Sequence, residues 1–122
     1  MIRMICAHAA RGGTGKTQLV ANLAVRLAGQ GRRVGIIDAD LYAPGLHLLF
    51  NLGLARADRT LNEYLRGEAS LEEAVYPVGG GFQTDTGARI ALPGEVYLIP
   101  ARHSVDAIEG VWREGYDLDL LL

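Results

Sequence analysis

The sequence predicts an α/β domain whose mostly parallel sheet is flanked by helices, and three observations near its start predict it. Ile2 to Ala9 is an apolar run of strand length that opens directly into a glycine-rich turn, as a buried parallel strand does. From Lys16 the period changes. Leu19, Val20, Leu23, Ala24, Leu27 and Ala28 recur at helical spacing, with Gln18, Asn22, Arg26 and Gln30 largely outside that stripe, which reads as an amphipathic helix stopped by Gly29 and Gly31. Val34 to Asp38 is a second short apolar run, reached across a helix long enough to cross over, so the three pieces compose a βαβ unit.

Beyond that unit, Asp40 to Gly53 is punctuated by Pro and Gly and carries apolar Leu46, Leu48, Leu49, Phe50 and Leu52, which favour core packing over a partner-binding surface. Thr60 with Glu63, and Ser70 with Glu73, have capping-box spacing and predict two short helices. Gly79 to Gly81 break the pattern, and Phe82 to Ala91 fits either a hairpin around Asp85 to Gly87 or an exposed loop. Val96 to Ile99 reads as a third strand ended by Pro100, and Ser104 as the cap of a helix through about Arg113, with Trp112 as a packing residue. The terminal Leu118 and Leu120 to Leu122 read as an element cut short.

A chain of 122 residues with 49% hydrophobic content suits one domain and excludes wholesale disorder. Twelve basic against 14 acidic residues give a net charge of −2, which lacks the electrostatic footprint of a dedicated nucleic-acid binder. The single cysteine, Cys6, excludes an internal disulfide and fits a reducing, cytoplasmic setting. No apolar stretch reaches the ~18 to 20 residues that span a bilayer, so a soluble protein is expected. His8, His47 and His103 are scattered and do not have the spacing of a metal site.

The turn itself carries the chemistry. Ala10 to Thr17 reads Ala-Arg-Gly-Gly-Thr-Gly-Lys-Thr between a strand pattern and a helix pattern. Gly12, Gly13 and Gly15 lack Cβ and permit the positive-φ turns that aim successive N–H groups, with that of Thr14, into one concavity. The helix beginning near Lys16 adds unpaired N–H groups, that of Gln18 included, and the positive end of its dipole. Such a cradle suits the phosphates of a nucleotide, with Lys16 reaching the β- and γ-phosphates and the Thr17 hydroxyl ligating Mg²⁺. The second strand ends in Asp38-Ala39-Asp40, where alternation is expected to put both carboxylates on one side, at the carboxyl edge of the sheet. Two carboxylates beside phosphates call for a cation: one, Asp38, then orients a Mg²⁺-bound water and the other, Asp40, the attacking water. The plainer alternative is that they cap the turn that follows. Tyr42, next to the pair, is placed on a loop expected to respond to the γ-phosphate.

With these residues in view, the chain resembles the MinD/ParA/Mrp group of deviant Walker A P-loop ATPases. That family's loop reads Lys-Gly-Gly-x-Gly-Lys-Thr, matched from Gly12 to Thr17 with Arg11 in the first place, and its next strand often ends Asp-x-Asp followed by Pro-Gly, matched by Asp38, Asp40, Pro44 and Gly45. Thr60 to Val78, above all Gly67 to Ala74, and Val96 to Ala101 look similar too. The resemblance implies binding of ATP and Mg²⁺, and ATP hydrolysis coupled to a nucleotide-dependent homodimer and to the positioning of a protein partner or cargo. It casts Lys16, Asp40 and Arg11 in the catalytic roles, Arg11 reaching across to the partner's phosphates. Arg11 departs from the family's lysine: it keeps the charge, but a planar fork differs from an ammonium in reach and geometry.

The resemblance also implies that residues 1–122 are the N-terminal part of a single nucleotide-binding domain of P-loop NTPase type. In that family the Walker B strand, the later strands and the adenine contacts come after the stretch that these residues match, so the sheet is expected to be incomplete and the isolated chain weakly active or inactive. Association with DNA or a membrane is neither implied nor excluded by these residues. Two other classes share the loop: a small-molecule kinase or synthetase of related fold, and a regulatory module that binds nucleotide without turnover.

Overall fold

The computed structural model describes residues 1–54, 59–79, 82–83, 86–87 and 89–103. Helix α1 (Lys16–Gly29) leads into strand β1 (Arg33–Ile37), then come α2 (Leu46–Leu49), α3 (Leu61–Leu65), a 3₁₀ turn (Glu72–Ala74) and strands β2 (Tyr76–Pro77), β3 (Phe82–Gln83), β4 (Arg89–Ile90) and β5 (Glu95–Ile99). The main sheet has the order β1-β5-β2. Strand β1 runs parallel to β5 with Arg33 opposite Glu95 and Ile37 opposite Ile99, and β2 is antiparallel to β5. The result is an α/β architecture with a small mixed sheet and helices. Strands β3 and β4 pair antiparallel, Phe82 opposite Ile90, as the hairpin alternative for this stretch requires. The expected helix from Ser104 to Arg113, Trp112 and the terminal leucines lie outside the described residues.

Helix α1 starts and stops where its sequence says. Gly15 caps it at φ 85°, a left-handed conformation that costs a residue without Cβ little. At its other end Gly31, at φ 81°, donates its N–H to the Ala28 carbonyl (2.9 Å), and Arg32 donates to Leu27 (3.2 Å). That pair of bonds is a Schellman closure, which satisfies carbonyls the helix would leave unpaired.

The face that α1 buries keeps Val20, Ala24 and Ala28 of the expected stripe but not Leu19 and Leu23. Ala21, Ala24 and Ala28 are buried, with Val20 and Val25 packed beside them against Ile36, Val96 and Leu98, whereas Leu19 is 64% exposed and Leu23 is also exposed. Small side chains let the helix axis come close to β1 and β5, so close approach selects the alanine stripe, and the leucines face a side that no described element covers. The neighbouring α2 divides likewise: Leu46 and Phe50 enter the same core, while Leu48 and Leu49 are exposed.

The first expected strand is absent. Residues 1–9 take no regular secondary structure and Ile2 is 98% exposed, so the βαβ unit is not closed. A parallel strand exists through the ladder it shares with neighbours and the layers that cover it. Among the described residues, no strand pairs with this segment, and β1 pairs with β5 alone. No helix among them is long and apolar enough to cross a membrane.

On the other face of the sheet, Ile99 packs with Leu61 and Ala74. Here α3 carries the capping box its sequence announces: Glu63 accepts from the Thr60 N–H at 2.7 Å. Burial pushes the Glu63 carboxyl up, but the hydrogen bonds from Thr60 outweigh it and hold the group below its ordinary range. The Ser70–Glu73 box is also formed, and it starts only the 3₁₀ turn. Buried Asn62 ties α3 to the chain after β5, donating to the Arg102 carbonyl (3.0 Å) and accepting from the Arg102 N–H (2.7 Å).

The entry to β5 rests on a glycine. Gly94 donates to the Ala28 carbonyl at 2.8 Å, and a Cβ there would lie inside contact distance of the Arg32 carbonyl oxygen and 2.6 Å from that of Ala28. Both obstacles are backbone and cannot rotate away. Gly94→Ala is therefore expected to destabilise the full-length protein by about 1–3 kcal/mol through overpacking, read as a lowered urea midpoint at unchanged m value.

Candidate functional site

The site is built where α1, the end of β1 and the loop to α2 meet. Gly13 (φ 74°) and Gly15 (φ 85°) take left-handed backbone in the turn that enters α1, and Gly12 does not. Residues 10–15 are exposed, so the concavity is open to an incoming anion. A 14-residue helix directly behind it adds unpaired N–H groups and a favourable dipole. Arg11 is exposed on the rim. Thr17 is half-buried on the first turn of α1, and Gly45 lies close enough that a Cβ on it would be 3.5 Å from Thr17 Cγ2. Gln18, on the same turn, lines a shallow concavity of about 380 Å³ with Asn22, Leu49 and Phe50, between α1 and α2.

Lys16 and Asp40 meet. The ammonium Nζ is 3.4 Å from Asp40 Oδ2, and each side chain keeps 31% of its surface exposed. The other oxygen of Asp40 accepts from the Ala43 N–H at 3.0 Å. That backbone bond, with Lys16 beside it, outweighs partial burial and holds the Asp40 carboxyl below its ordinary range. Asp40 is thus ionised at neutral pH, and acid that protonates it weakens its pairing with Lys16.

Asp38 behaves differently from its partner in the motif. It is 5% exposed, and it accepts three backbone N–H groups: Asp40 on Oδ1 at 3.2 Å, Gly45 and Leu46 on Oδ2 at 3.1 and 3.2 Å. The two carboxylates, expected on one side at the carboxyl edge of the sheet, take different partners. After Ile37 the chain leaves the strand, so Asp38 turns under the loop and Asp40 turns toward Lys16. Tyr42 is exposed on that loop.

The donor set suits a cation held chiefly by phosphate oxygens and water. Thr17 offers one hydroxyl, Asp40 is already ionised, and no group of three His, Cys, Asp or Glu side chains among the described residues could hold a metal unaided. Magnesium is usually bound in this economical way at phosphate sites.

A family model described as ParA, NUBPL iron-transfer P-loop NTPase, matches residues 1–75. The chain belongs to the ParA/MinD family of P-loop NTPases. This family member is 43% identical over 109 residues to an uncharacterized ATP-binding protein of Methanocaldococcus jannaschii, a match covering 88% of the chain and 38% of that relative. It is 34% identical over 103 residues to the antiactivator FleN of Pseudomonas aeruginosa, covering 84% of the chain and 35% of FleN. Among solved structures it resembles the septum site-determining protein MinD of Pyrococcus horikoshii, complexed with Mg-ADP, at a TM-score of 0.62 and 28% identity, over 88% of the chain and 42% of MinD. The chain therefore spans well under half the length of the relatives it matches.

Sequence reasoning missed two relationships. The Lys16–Asp40 pair joins residues 24 positions apart, which motif spacing does not reveal. The loop carrying Pro44-Gly45 also lies against the first turn of α1, with Gly45 beside Thr17.

Proposed function

We propose that the parent protein binds ATP with Mg²⁺ at Gly12 to Gln18 and hydrolyses it in the cytoplasm, using the cycle to form and dissolve a homodimer that positions a protein partner or cargo. The observation that carries this reading is the left-handed backbone at Gly13 and Gly15 on the N-terminus of α1, with Lys16 and Asp40 converging 3.4 Å apart beside it. Family membership and the likeness to a Mg-ADP-bound MinD support it.

In this reading the N–H groups of the loop and of α1 bind the phosphates, and Lys16 exchanges Asp40 for the β- and γ-phosphate oxygens. Asp40, released from Lys16, is free to orient the attacking water. Mg²⁺, held by the Thr17 hydroxyl and the phosphates, would neutralise charge on the transferred group. Exposed Arg11 is available to a second copy of the chain, where its fork can grip two phosphate oxygens.

The test uses the full-length protein with Mg-ATP, measuring phosphate release and, by light scattering, the ATP-dependent dimer. Release of phosphate and an ATP-driven doubling of mass are expected. Arg11→Ala should leave monomer affinity within about threefold while weakening dimerisation on the order of tenfold or more, the scale of losing one charge-assisted contact. Unchanged dimerisation would remove Arg11 from the trans role, and absence of phosphate release would contradict hydrolysis.

A further inference from the structure

The loop from the end of β1 to α2 is fixed from beneath by one buried side chain. Asp38 gathers the N–H of Asp40 on one oxygen and those of Gly45 and Leu46 on the other, so its two oxygens tie both ends of the Asp40–Leu46 segment to the end of the strand. The strand side is equally fixed, since the Asp38 N–H donates to the Ile99 carbonyl at 3.0 Å. A carboxylate has about four lone-pair sites, and three of these are engaged by backbone. Little capacity is left for a metal or its water. Asp40, by contrast, is partly exposed and faces Lys16.

We propose that Asp38 is a positioning residue for hydrolysis, acting through Asp40, and does not ligate Mg²⁺. The inference rests on the proposed hydrolytic role of Asp40. Its physical content is that the direction of the Asp40 carboxylate is set by the backbone from 40 to 46, and that this backbone is held by the Asp38 oxygens. Charge-assisted bonds to N–H groups are the stronger kind, and in a buried place they exchange poorly with water. Loosening them misplaces Asp40 relative to its water, and a displacement of about 1 Å costs on the order of 100-fold in rate.

The test is a double-mutant cycle in the full-length protein with Asp38→Asn, Asp40→Asn and both together, reading kcat, KM and nucleotide affinity, with Mg²⁺ titrated in each. Asn replaces one acceptor oxygen by a donor, so it must turn an N–H group toward other N–H groups. Asp38→Asn is expected to lower kcat about 10- to 100-fold, with KM and the Mg²⁺ half-saturation point each within about threefold of wild type. In the Asp40→Asn background it should add nothing further, the non-additivity of residues acting as a unit. A Mg²⁺ requirement raised tenfold or more with kcat recovered at saturating metal would overturn the proposal in favour of a metal ligand, as would unchanged kcat or fully additive losses. Loss of activity in wild type itself would instead sink the hydrolytic reading. A variant-free measurement covers the case in which Asp38→Asn does not fold. The amide hydrogens of Gly45 and Leu46 in wild type should exchange slowly with and without ATP, and fast exchange at both in either state would overturn the proposal.

Discussion

Lys16→Ala in the full-length protein is expected to abolish measurable triphosphate binding. The ammonium follows directly on the glycine loop, partly buried and 3.4 Å from Asp40. Removing it takes away a charge-assisted contact to the phosphates and leaves the Asp40 carboxylate unopposed beside them. Truncating one member of such a pair costs about 2–5 kcal/mol, or roughly 30- to several thousand-fold in affinity. A fluorescent ATP analogue displaced by unlabelled ATP reads this directly. Affinity within threefold of wild type would mean that Lys16 does not face the phosphates.

Asp40→Ala should have the opposite profile. Phosphate release is expected to fall by about 100- to 10,000-fold, the usual cost of losing a positioned group that handles the attacking proton or water, while binding is kept. The structure adds a finer expectation. Because Asp40 pairs with Lys16 before nucleotide arrives, its removal frees the ammonium, and ATP affinity should hold or rise by a few fold. Equal loss of binding in both variants would contradict the separate roles. Single-turnover quench with bound nucleotide quantified beforehand separates the two effects.

What the sequence disclosed was local chemistry. The start of α1 at Lys16, its closure at Gly31 and the Thr60–Glu63 box each depend on residues within one or two turns of one another, and each formed as its residues dictate. Gly13 and Gly15 were legible for the same reason, since a positive φ is a property of one residue, though Gly12 does not take one. What it hid depended on partners far along the chain. Ile2 to Ala9 has the composition of a buried strand, but a ladder needs a neighbour that composition cannot supply. Hydrophobicity alone points Leu19 and Leu23 inward, whereas close approach of helix and sheet favours Ala21 beside the Ala24 and Ala28 of the same stripe. The Asp38-Ala39-Asp40 motif gave two carboxylates at the right edge, and only the loop geometry shows that one accepts backbone N–H groups while the other meets Lys16.

The most direct measurement is isothermal titration calorimetry of the full-length protein with ATP in the presence of Mg²⁺. A saturable heat with one nucleotide per chain, lost in Lys16→Ala and retained in Asp40→Ala, is the predicted result. A well-folded full-length protein that gives no heat with ATP or GTP would contradict the assignment of the Gly12–Thr17 turn as a phosphate cradle, and with it the roles of Lys16, Asp40 and Asp38.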